Sequence, residues 1–281
     1  MKLIFTAVVG RSGQSSLTNI FNKYGIGCFA EFEPPDLIFR RKGMLGSIAQ
    51  KIQRKWIVSH ELLGRGKAKE WLENGNHKKL NMIAEKKIKR IGRLRKKYCF
   101  ETYIEVSKFF MRTQCDHIYL NAPHLAIIKL TRDPLLNARS FTNRRKKFYL
   151  DNVPPHYKQN CLQMNEERLS KFQLYLWSWF EIELRYFRFL EQHLVDKVFE
   201  IKTEDLNEKE KIIEMFKFFG IAYRDIIDLT PRNTNIQQGY QQTMLTSKDI
   251  KEYEDFLNMV PAHLLSKVKY LKDYNPYIHS H

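Results

Sequence analysis

A short turn near the amino terminus, Gly10-Arg11-Ser12-Gly13, carries residue types that bind anions. It follows an apolar, β-branched run at 2–9 and precedes residues 14–24, where apolar side chains recur at helical spacing. The first turn of such a helix leaves backbone N–H groups without intrahelical acceptors, and its dipole favours negative charge. Together with the Arg11 guanidinium, this helix start predicts a binding site for a phosphate or sulfate group.

A second pair of candidate ligand-binding residues, Arg132 and Ser140, belongs to the stretch that begins with Arg132-Asp133-Pro134. The apolar run 125–131 predicts a central parallel strand, and Asp133 followed by Pro134 is typical of a helix start. Arg132 would then lie at the carboxyl end of a strand, with Ser140 eight residues later on the next helix. A guanidinium fork and a hydroxyl suit a terminal phosphate, so the two groups predict one elongated ligand with two anionic ends.

These two strand-turn-helix units imply an α/β fold with a central, mostly parallel sheet flanked by helices. We expect a single domain over residues 1–281, with a helical insertion at about 37–97 and a helical tail at about 230–281. The helix after Asp133 is predicted to run to about residue 149. Other strands are predicted at 25–32, 99–106 and 197–201, and other helices at 67–97, 163–193 and 208–219.

The composition indicates a packed globular protein with an anionic partner. The chain of 281 residues is 43% hydrophobic and 13% aromatic, which argues against disorder. Its net charge of +17 is compatible with nucleic acid, acidic lipid, acidic glycan or a polyanionic cofactor as the partner.

The cysteines and the apolar segments bear on the compartment. The four cysteines lack CxxC spacing, so we expect free thiols in a reducing environment and no metal site. The amino-terminal apolar run leads into a charged turn instead of a cleavage site, and no segment is long enough to span a membrane. We therefore expect a cytoplasmic protein of bacterial type.

The order, spacing and strand context of the two motifs resemble those of sulfotransferases that use 3′-phosphoadenosine 5′-phosphosulfate (PAPS). The first loop of that family is a Lys or Arg followed by Ser-Gly-Thr-Thr/Ser. The second motif is an Arg, then Asp/Asn-Pro, with a Ser eight residues beyond the Arg. The matching residues here are Arg11-Ser12-Gly13-Gln14-Ser15-Ser16, then Arg132-Asp133-Pro134 and Ser140. The resemblance covers roughly residues 1–225, with Gln14 in place of a Thr, and the family's glycine-rich carboxyl-terminal segment is absent.

The resemblance implies an activity and a role for each matching residue. PAPS, which leaves as adenosine 3′,5′-bisphosphate, would be held at its 3′-phosphate by Arg132 and Ser140 and at its 5′-phosphosulfate by Arg11, Ser12, Gly13, Gln14, Ser15 and Ser16. Arg11 would also stabilise charge during in-line displacement at sulfur. Sulfuryl transfer needs no bound magnesium, since the transferred group carries less charge than a phosphoryl group. The acceptor would be a hydroxyl of a small molecule, glycan or peptide, of acidic or aromatic character.

An alcohol acceptor also needs a general base. Several family members place a glutamate about twenty residues after the loop arginine, where Glu31 and Glu33 fall in this chain. We favour Glu33 over Glu31, with Glu105 and His60 as further candidates.

Two other functions remain compatible with parts of the sequence. An ATP-type P-loop, GxxxxGK[ST], would need glycine and lysine where Ser15 and Ser16 stand, so a nucleotide or small-molecule kinase would require a degenerate loop. The stretch 86–97 holds eight Lys and Arg in twelve residues. Ile88, Ile91 and Leu94 predict one buried stripe on it, and its cationic face could instead make the chain a nucleic-acid or polyanion-binding protein.

Overall fold

The computed structural model describes residues 1–32, 48, 52, 59–143, 147–148, 153–226, 229 and 244–268. The chain forms two compact units, Met1–Arg132 with His193–Tyr240, and Asp133–Gln192 with Gln241–His281. The single-domain assignment over residues 1–281 stays a prediction, and most of the predicted insertion before residue 59 lies outside the described residues.

The first unit contains the sheet. Its five strands are all parallel and lie in the order β2-β3-β1-β4-β5, which confirms the predicted α/β fold with a parallel sheet and flanking helices. Strand β2 is shorter than the predicted 25–32, because Gly27 (φ 81°) and Glu31 (φ 48°) leave the extended conformation on either side. The strands are β1 Lys2–Val8, β2 Phe29–Ala30, β3 Thr102–Val106, β4 Leu125–Thr131 and β5 Lys197–Lys202.

The helices of the first unit follow its strands. The predicted helix 67–97 is two helices, because Gly75 adopts φ 60° and the Asn76 side chain accepts a hydrogen bond from the backbone N–H of Lys79 at a new helix start. A π-helical turn at Phe110–Gln114 precedes α4, and a 3-10 turn at Glu204–Asn207 precedes α7. These helices are α1 Gln14–Tyr24, α2 Lys67–Glu73, α3 His77–Tyr98, α4 Cys115–Asn121 and α7 Lys209–Phe219.

The core of the first unit lies between the sheet and helices α1 and α7. All seven residues of β4 are buried, as expected for a central parallel strand. Leu17 and Phe21 of α1 are fully buried in the same cluster as Ile4 and Val8 of β1. The Phe21 ring also meets Phe216 of α7 edge to face at 5.5 Å. This packing fixes the point at which the turn after β1 enters α1.

The second unit is helical in its described residues. It contains α5 Pro134–Thr142, α6 Lys171–Gln192, α8 Ser247–Met259 and α9 Ala262–Leu265. Helix α5 begins as predicted, since the Asp133 carboxylate accepts a hydrogen bond from the Leu136 N–H at 2.8 Å. It ends at Thr142 instead of about 149, and α6 begins at Lys171 instead of 163. The Ser170 hydroxyl accepts from the Gln173 N–H at 3.1 Å and so starts α6 there.

Candidate functional site

The turn between β1 and α1 lies at the carboxyl edge of the sheet, where its backbone forms a concave set of donors. Arg11 (φ 69°) and Gly13 (φ 80°) both adopt the left-handed conformation. The first intrahelical hydrogen bond of α1 runs from the Leu17 N–H to the Gly13 carbonyl, at 2.9 Å. The N–H groups of residues 14–16 therefore precede the helical ladder, and α1 has no acidic residue in its first turn. Such a backbone concavity at a helix start binds anions.

Position 13 of this turn requires glycine. A Cβ atom there would lie 2.9 Å from Leu206 Cδ1 and 3.2 Å from Thr203 Cγ2, in addition to the strain of φ 80°. The segment that contains Thr203 is itself fixed, because the Thr203 N–H donates to the Thr131 carbonyl at 2.8 Å. The turn after β5 therefore supports the anion-binding turn after β1, a contact that sequence reasoning missed.

Arg132 joins the two predicted ligand-binding motifs. It follows β4, which pairs directly with β1, and its Nη1 donates to the Arg11 carbonyl at 3.0 Å. Two segments about 120 residues apart in sequence thus meet at one edge of the sheet. Ser140 lies on α5 in the second unit, where it is half-buried, and its pairing with Arg132 stays a prediction.

Glu31 follows β2 at the same edge, on strained backbone. Its N–H donates to the Val106 carbonyl at 3.0 Å, while Glu31 (φ 48°) and Phe32 (φ 66°) are consecutive left-handed residues that are not glycine. Each such residue costs about 1–3 kcal/mol, and strain of this kind is concentrated at functional sites. The Glu31 carboxylate lies 3.8 Å from Lys108 Nζ, and both side chains are mostly buried.

Lys108 was not among the predicted site residues. Its position two residues beyond the end of β3 was the signal that could have found it, since residues after parallel strands meet at the ligand-binding edge. Glu33, the favoured base, lies outside the described residues. The choice between Glu31 and Glu33 therefore stays open.

Glu105 lies in the core of the first unit and has a structural role. It is 1% exposed and accepts hydrogen bonds from Lys87 Nζ at 2.8 Å and from the Tyr103 hydroxyl at 2.7 Å. Burial, and then the negative charge of Glu105, raise the pKa of Tyr103 well above its usual value. A carboxylate with two buried donors and almost no exposed surface is poorly suited to receive a proton from an acceptor. His60, the other further candidate, is half-buried in the turn before α2.

The buried stripe of α3 differs from the prediction. Ile91 is buried, but Ile88 and Leu94 are only partly so. A constant spacing of three drifts by about 60° per step around a helix, whereas alternating spacings of three and four stay on one face. The stripe that packs inward therefore contains a lysine, and its members are Leu80, Ile83, Ala84, Lys87 and Ile91.

The cysteines, all within the described part of the chain, form no disulfide bond. Burial raises the pKa of the Cys28 thiol to about 12, so this residue is an inert core side chain. Among the described residues there is no group of three or more His, Cys, Asp or Glu side chains arranged to hold a metal ion. None of the helices described is both long and apolar enough to cross a bilayer.

The residues at the carboxyl edge fit an anionic ligand. The Nε2 atom of Gln14, at the first position of α1, is buried and has no acceptor among the described residues. A buried donor left without an acceptor costs about 1–3 kcal/mol, and a phosphate or sulfate oxygen at the helix start would satisfy it. The guanidinium of Arg11 belongs to the same turn.

Comparisons with known proteins are sparse. No protein-family model matches the chain, and no curated protein matches it. Among solved structures, it is similar to the sulfotransferase domain from the curacin biosynthetic pathway. The two are 16% identical with a TM-score of 0.48, over 92% of this chain and 99% of that domain.

Proposed function

We propose that the protein is a PAPS-dependent sulfotransferase that moves a sulfuryl group to a hydroxyl of its acceptor. The hydrogen bond from Arg132 Nη1 to the Arg11 carbonyl is the observation that carries this proposal, because it brings the two anion-binding motifs to one edge of the sheet. Two cationic motifs at one edge suit a ligand with two anionic ends. In open α/β sheets this is also the edge where ligands bind.

The backbone of the turn and the two arginines bind different ends of PAPS. When bound, PAPS supplies the sulfuryl group together with a bisphosphate that leaves. The N–H groups of residues 14–16, the Arg11 guanidinium and Gln14 Nε2 stabilise negative charge at the 5′ end. Arg132, with Ser140, holds the 3′-phosphate through a charge-assisted fork and a hydroxyl.

One of two glutamates receives the proton of the acceptor hydroxyl. A carboxylate oxygen of Glu31 or Glu33 takes the hydroxyl proton as the acceptor becomes a nucleophile. For Glu31, the Lys108 ammonium lies 3.8 Å from the carboxylate and limits the positions that it adopts. The strained backbone at residues 31 and 32 holds that carboxylate at the strand end.

Thermal unfolding with adenosine 3′,5′-bisphosphate tests the proposal. A ligand that binds only the folded state increases the free energy of unfolding, by about 2.7 kcal/mol when its concentration is one hundred times its Kd. The Tm of the protein rises as a result. We expect such a shift in the wild-type protein and its loss in Arg132→Ala. Arg93→Ala, which removes an exposed cation of α3, is the matched control and should keep the full shift. Adenosine 5′-monophosphate, which lacks the 3′-phosphate, should give a small shift that Arg132→Ala leaves unchanged.

Two outcomes would contradict the proposal. Absence of any shift at millimolar bisphosphate in wild-type protein would rule out a PAPS site. A larger shift with ATP and magnesium than with the bisphosphate would favour a kinase.

A further inference from the structure

The amino edge of the sheet, opposite the anion-binding turn, is rich in exposed apolar side chains. They lie within three residues of a strand start, near the end of a helix, or in the segment that follows α7. Leu194 is 86% exposed and Leu120 is 68% exposed, values far from those of core leucines. The six exposed residues of this edge are Met1, Ile26, Leu120, Leu194, Phe218 and Tyr223.

Hydrogen bonds within the first unit connect several of the elements that carry these residues. The Tyr119 hydroxyl donates to the Leu194 carbonyl at 3.0 Å and so joins the end of α4 to the start of β5. Lys197 Nζ donates to the Phe218 carbonyl at 3.0 Å, and Lys2 Nζ donates to the Phe219 carbonyl at 2.7 Å. The end of α7 is thereby fixed beside the starts of β1 and β5. Leu120 and Phe218 are therefore presented by helix ends, and Leu194 by backbone that is hydrogen-bonded to α4.

The carboxyl-terminal half of α3 adds dense positive charge at this edge. A cleft of about 670 Å³ opens between α3 and the start of β1, and four Lys and Arg side chains line it beside one carboxylate, Glu101. A Cβ atom on Gly92 would meet nothing within 4 Å, so the floor of the cleft is open. The four cations that line the cleft are Lys89, Arg93, Arg95 and Lys96, and Met1 and Phe100 line it as well.

The helix dipole does not account for this charge. Cations stabilise the carboxyl end of a helix only within its last turn, which here contains Arg95, Lys96 and Lys97. The exposed positive charge extends back through Arg93 and Lys89 to Lys86. Of the exposed cations in the 86–97 stretch, Lys89 is the one that forms an ion pair with a described carboxylate, that of Glu85.

We propose that this amino-edge surface docks the protein on an anionic lipid membrane. Clusters of four to eight basic residues bind anionic lipid headgroups, with about 1 kcal/mol from each cation, which is about a fivefold change in affinity. Exposed leucines, methionine and aromatics enter the interfacial region and bind there through burial of apolar surface. The six apolar residues and the α3 cations together provide both contributions, apolar burial and electrostatic attraction, on one edge.

Other occupants fit the surface less well. Nucleic acid would use the cations but would give Leu120 and Leu194 no role, since neither can stack on a base or bind a phosphate. A second copy of the chain would bring two cationic surfaces together, which charge repulsion opposes. A membrane places the strongly exposed leucines in an apolar phase while the cations meet headgroup phosphates.

The surface is separate from the proposed sulfuryl-transfer site. Strands of five to seven residues, such as β1, β3 and β4, separate the two edges by roughly 20 Å, at about 3.3 Å per residue. Changes at the amino edge therefore leave the bisphosphate-induced Tm shift intact, which provides a check on folding and makes failure of the two proposals distinguishable.

Vesicle co-sedimentation of the full chain tests the membrane proposal. The vesicles contain three parts phosphatidylcholine to one part phosphatidylglycerol, with pure phosphatidylcholine as the uncharged reference. We expect binding to the anionic vesicles alone, weakened by more than about tenfold in Arg93→Glu/Lys96→Glu. Leu120→Ser/Leu194→Ser should also lose most binding, because the cations alone provide only the electrostatic part. Lys209→Glu/Lys251→Glu and Met244→Ser/Met259→Ser change exposed residues that belong neither to the six apolar residues nor to the α3 cations, and should bind as wild type.

Three results would overturn it. Wild-type protein could fail to distinguish anionic from uncharged vesicles. Binding could be unaffected by the leucine substitutions while a single-stranded oligonucleotide binds in an α3-dependent manner, which would assign the surface to nucleic acid. Sedimentation velocity could instead show a dimer that Leu120→Ser/Leu194→Ser dissociates, which would assign it to a second copy.

Discussion

The two edges of one sheet use charge in opposite ways. At the carboxyl edge the positive groups among the described residues are few, and the Arg132 guanidinium donates to the Arg11 backbone carbonyl. The turn beside it depends on left-handed residues such as Arg11 and Gly13. At the amino edge the cations of α3 extend from a regular helix and are mostly exposed. An edge whose backbone has a fixed conformation suits one small ligand in one orientation. An edge of exposed side chains suits an extended partner.

Within α3 the same contrast appears between neighbouring lysines. Lys87 is fully buried and lies 2.8 Å from Glu105 and 3.1 Å from the Gln114 side-chain oxygen. Lys86, one residue earlier, is exposed. Identical residue types in one run of charge thus have different functions, because helical geometry alone decides which of them points inward.

The largest expected effect concerns the base of the carboxyl edge. General-base catalysis contributes about 10²- to 10⁴-fold, so replacing the true base by Gln should reduce kcat by that factor and leave bisphosphate affinity unchanged. Glu31→Gln and Glu33→Gln, assayed side by side for transfer of labelled sulfate from PAPS to a panel of hydroxyl acceptors, would identify it. If neither variant lost more than a few-fold in kcat, both glutamates would be excluded as the base.

The next effect is on stability, at the buried lysine of α3. Lys87→Ala leaves the Glu105 carboxylate buried without its cation, and breaking such a pair costs about 3–5 kcal/mol. Lys86→Ala changes an exposed neighbour and should stay within about 0.5 kcal/mol of wild type. Urea unfolding followed by circular dichroism measures both. Equal destabilisation of the two variants would show that the difference in burial has no energetic consequence.

The fold and half of the site follow from local sequence patterns. Strands β1 and β4 are mostly apolar runs, and the Asp133-Pro134 helix start is confirmed because capping depends on adjacent residues. The role of Lys87 was missed because a lysine inside a run of cations carries no local sign of burial. Its partner Glu105 is 18 residues away in sequence, and only tertiary packing brings the two together.

The same limit applies at the carboxyl edge. The Gly/Ser turn after β1 could be predicted as an anion-binding loop from its residue types alone, and that role stays a prediction. Its support by Thr203 and Leu206 could not, because that contact depends on the order of the strands in the sheet. Lys108 beside Glu31 was missed for a similar reason, since β2 and β3 are separated by more than seventy residues of chain.

Two glycines, one near each edge, allow a smaller and sharper test. Gly13→Ala places a Cβ atom 2.9 Å from Leu206 on left-handed backbone, so we expect a loss of about 1–3 kcal/mol and of the bisphosphate-induced Tm shift. Gly92→Ala lies within α3 with nothing near its Cβ, and should stabilise the protein by up to about 1 kcal/mol. Thermal unfolding of both, with and without bisphosphate, measures these changes. Opposite signs would confirm the contrast between the edges, and a Gly13→Ala variant with unchanged Tm and ligand shift would contradict it.

The smallest effect concerns how the cationic helix is attached to the first unit. His117 of α4 is nearly buried, with its Nε2 3.3 Å from Nδ1 of His77 at the start of α3. Burial, with a lesser contribution from the charge of His77, lowers the pKa of His117 below 6.5, although Asp116 opposes the shift. The unfolded chain then binds a proton more readily than the folded one. His117 therefore does not reduce the free energy of unfolding above pH 6.5, and it destabilises the fold as the pH falls through its lowered pKa.

We therefore expect the free energy of unfolding to decrease more between pH 7.5 and pH 5.0 in wild-type protein than in His117→Gln, which cannot gain that proton. His193→Gln is the matched control, since the His193 ring lies 3.1 Å from the Asp116 carboxylate instead of facing a second histidine. Urea unfolding at the two pH values measures the difference. An acid-induced loss of the same size in wild type and His117→Gln would mean that α3 is held to α4 by its apolar stripe alone, and that the histidine pair adds no sensitivity to pH.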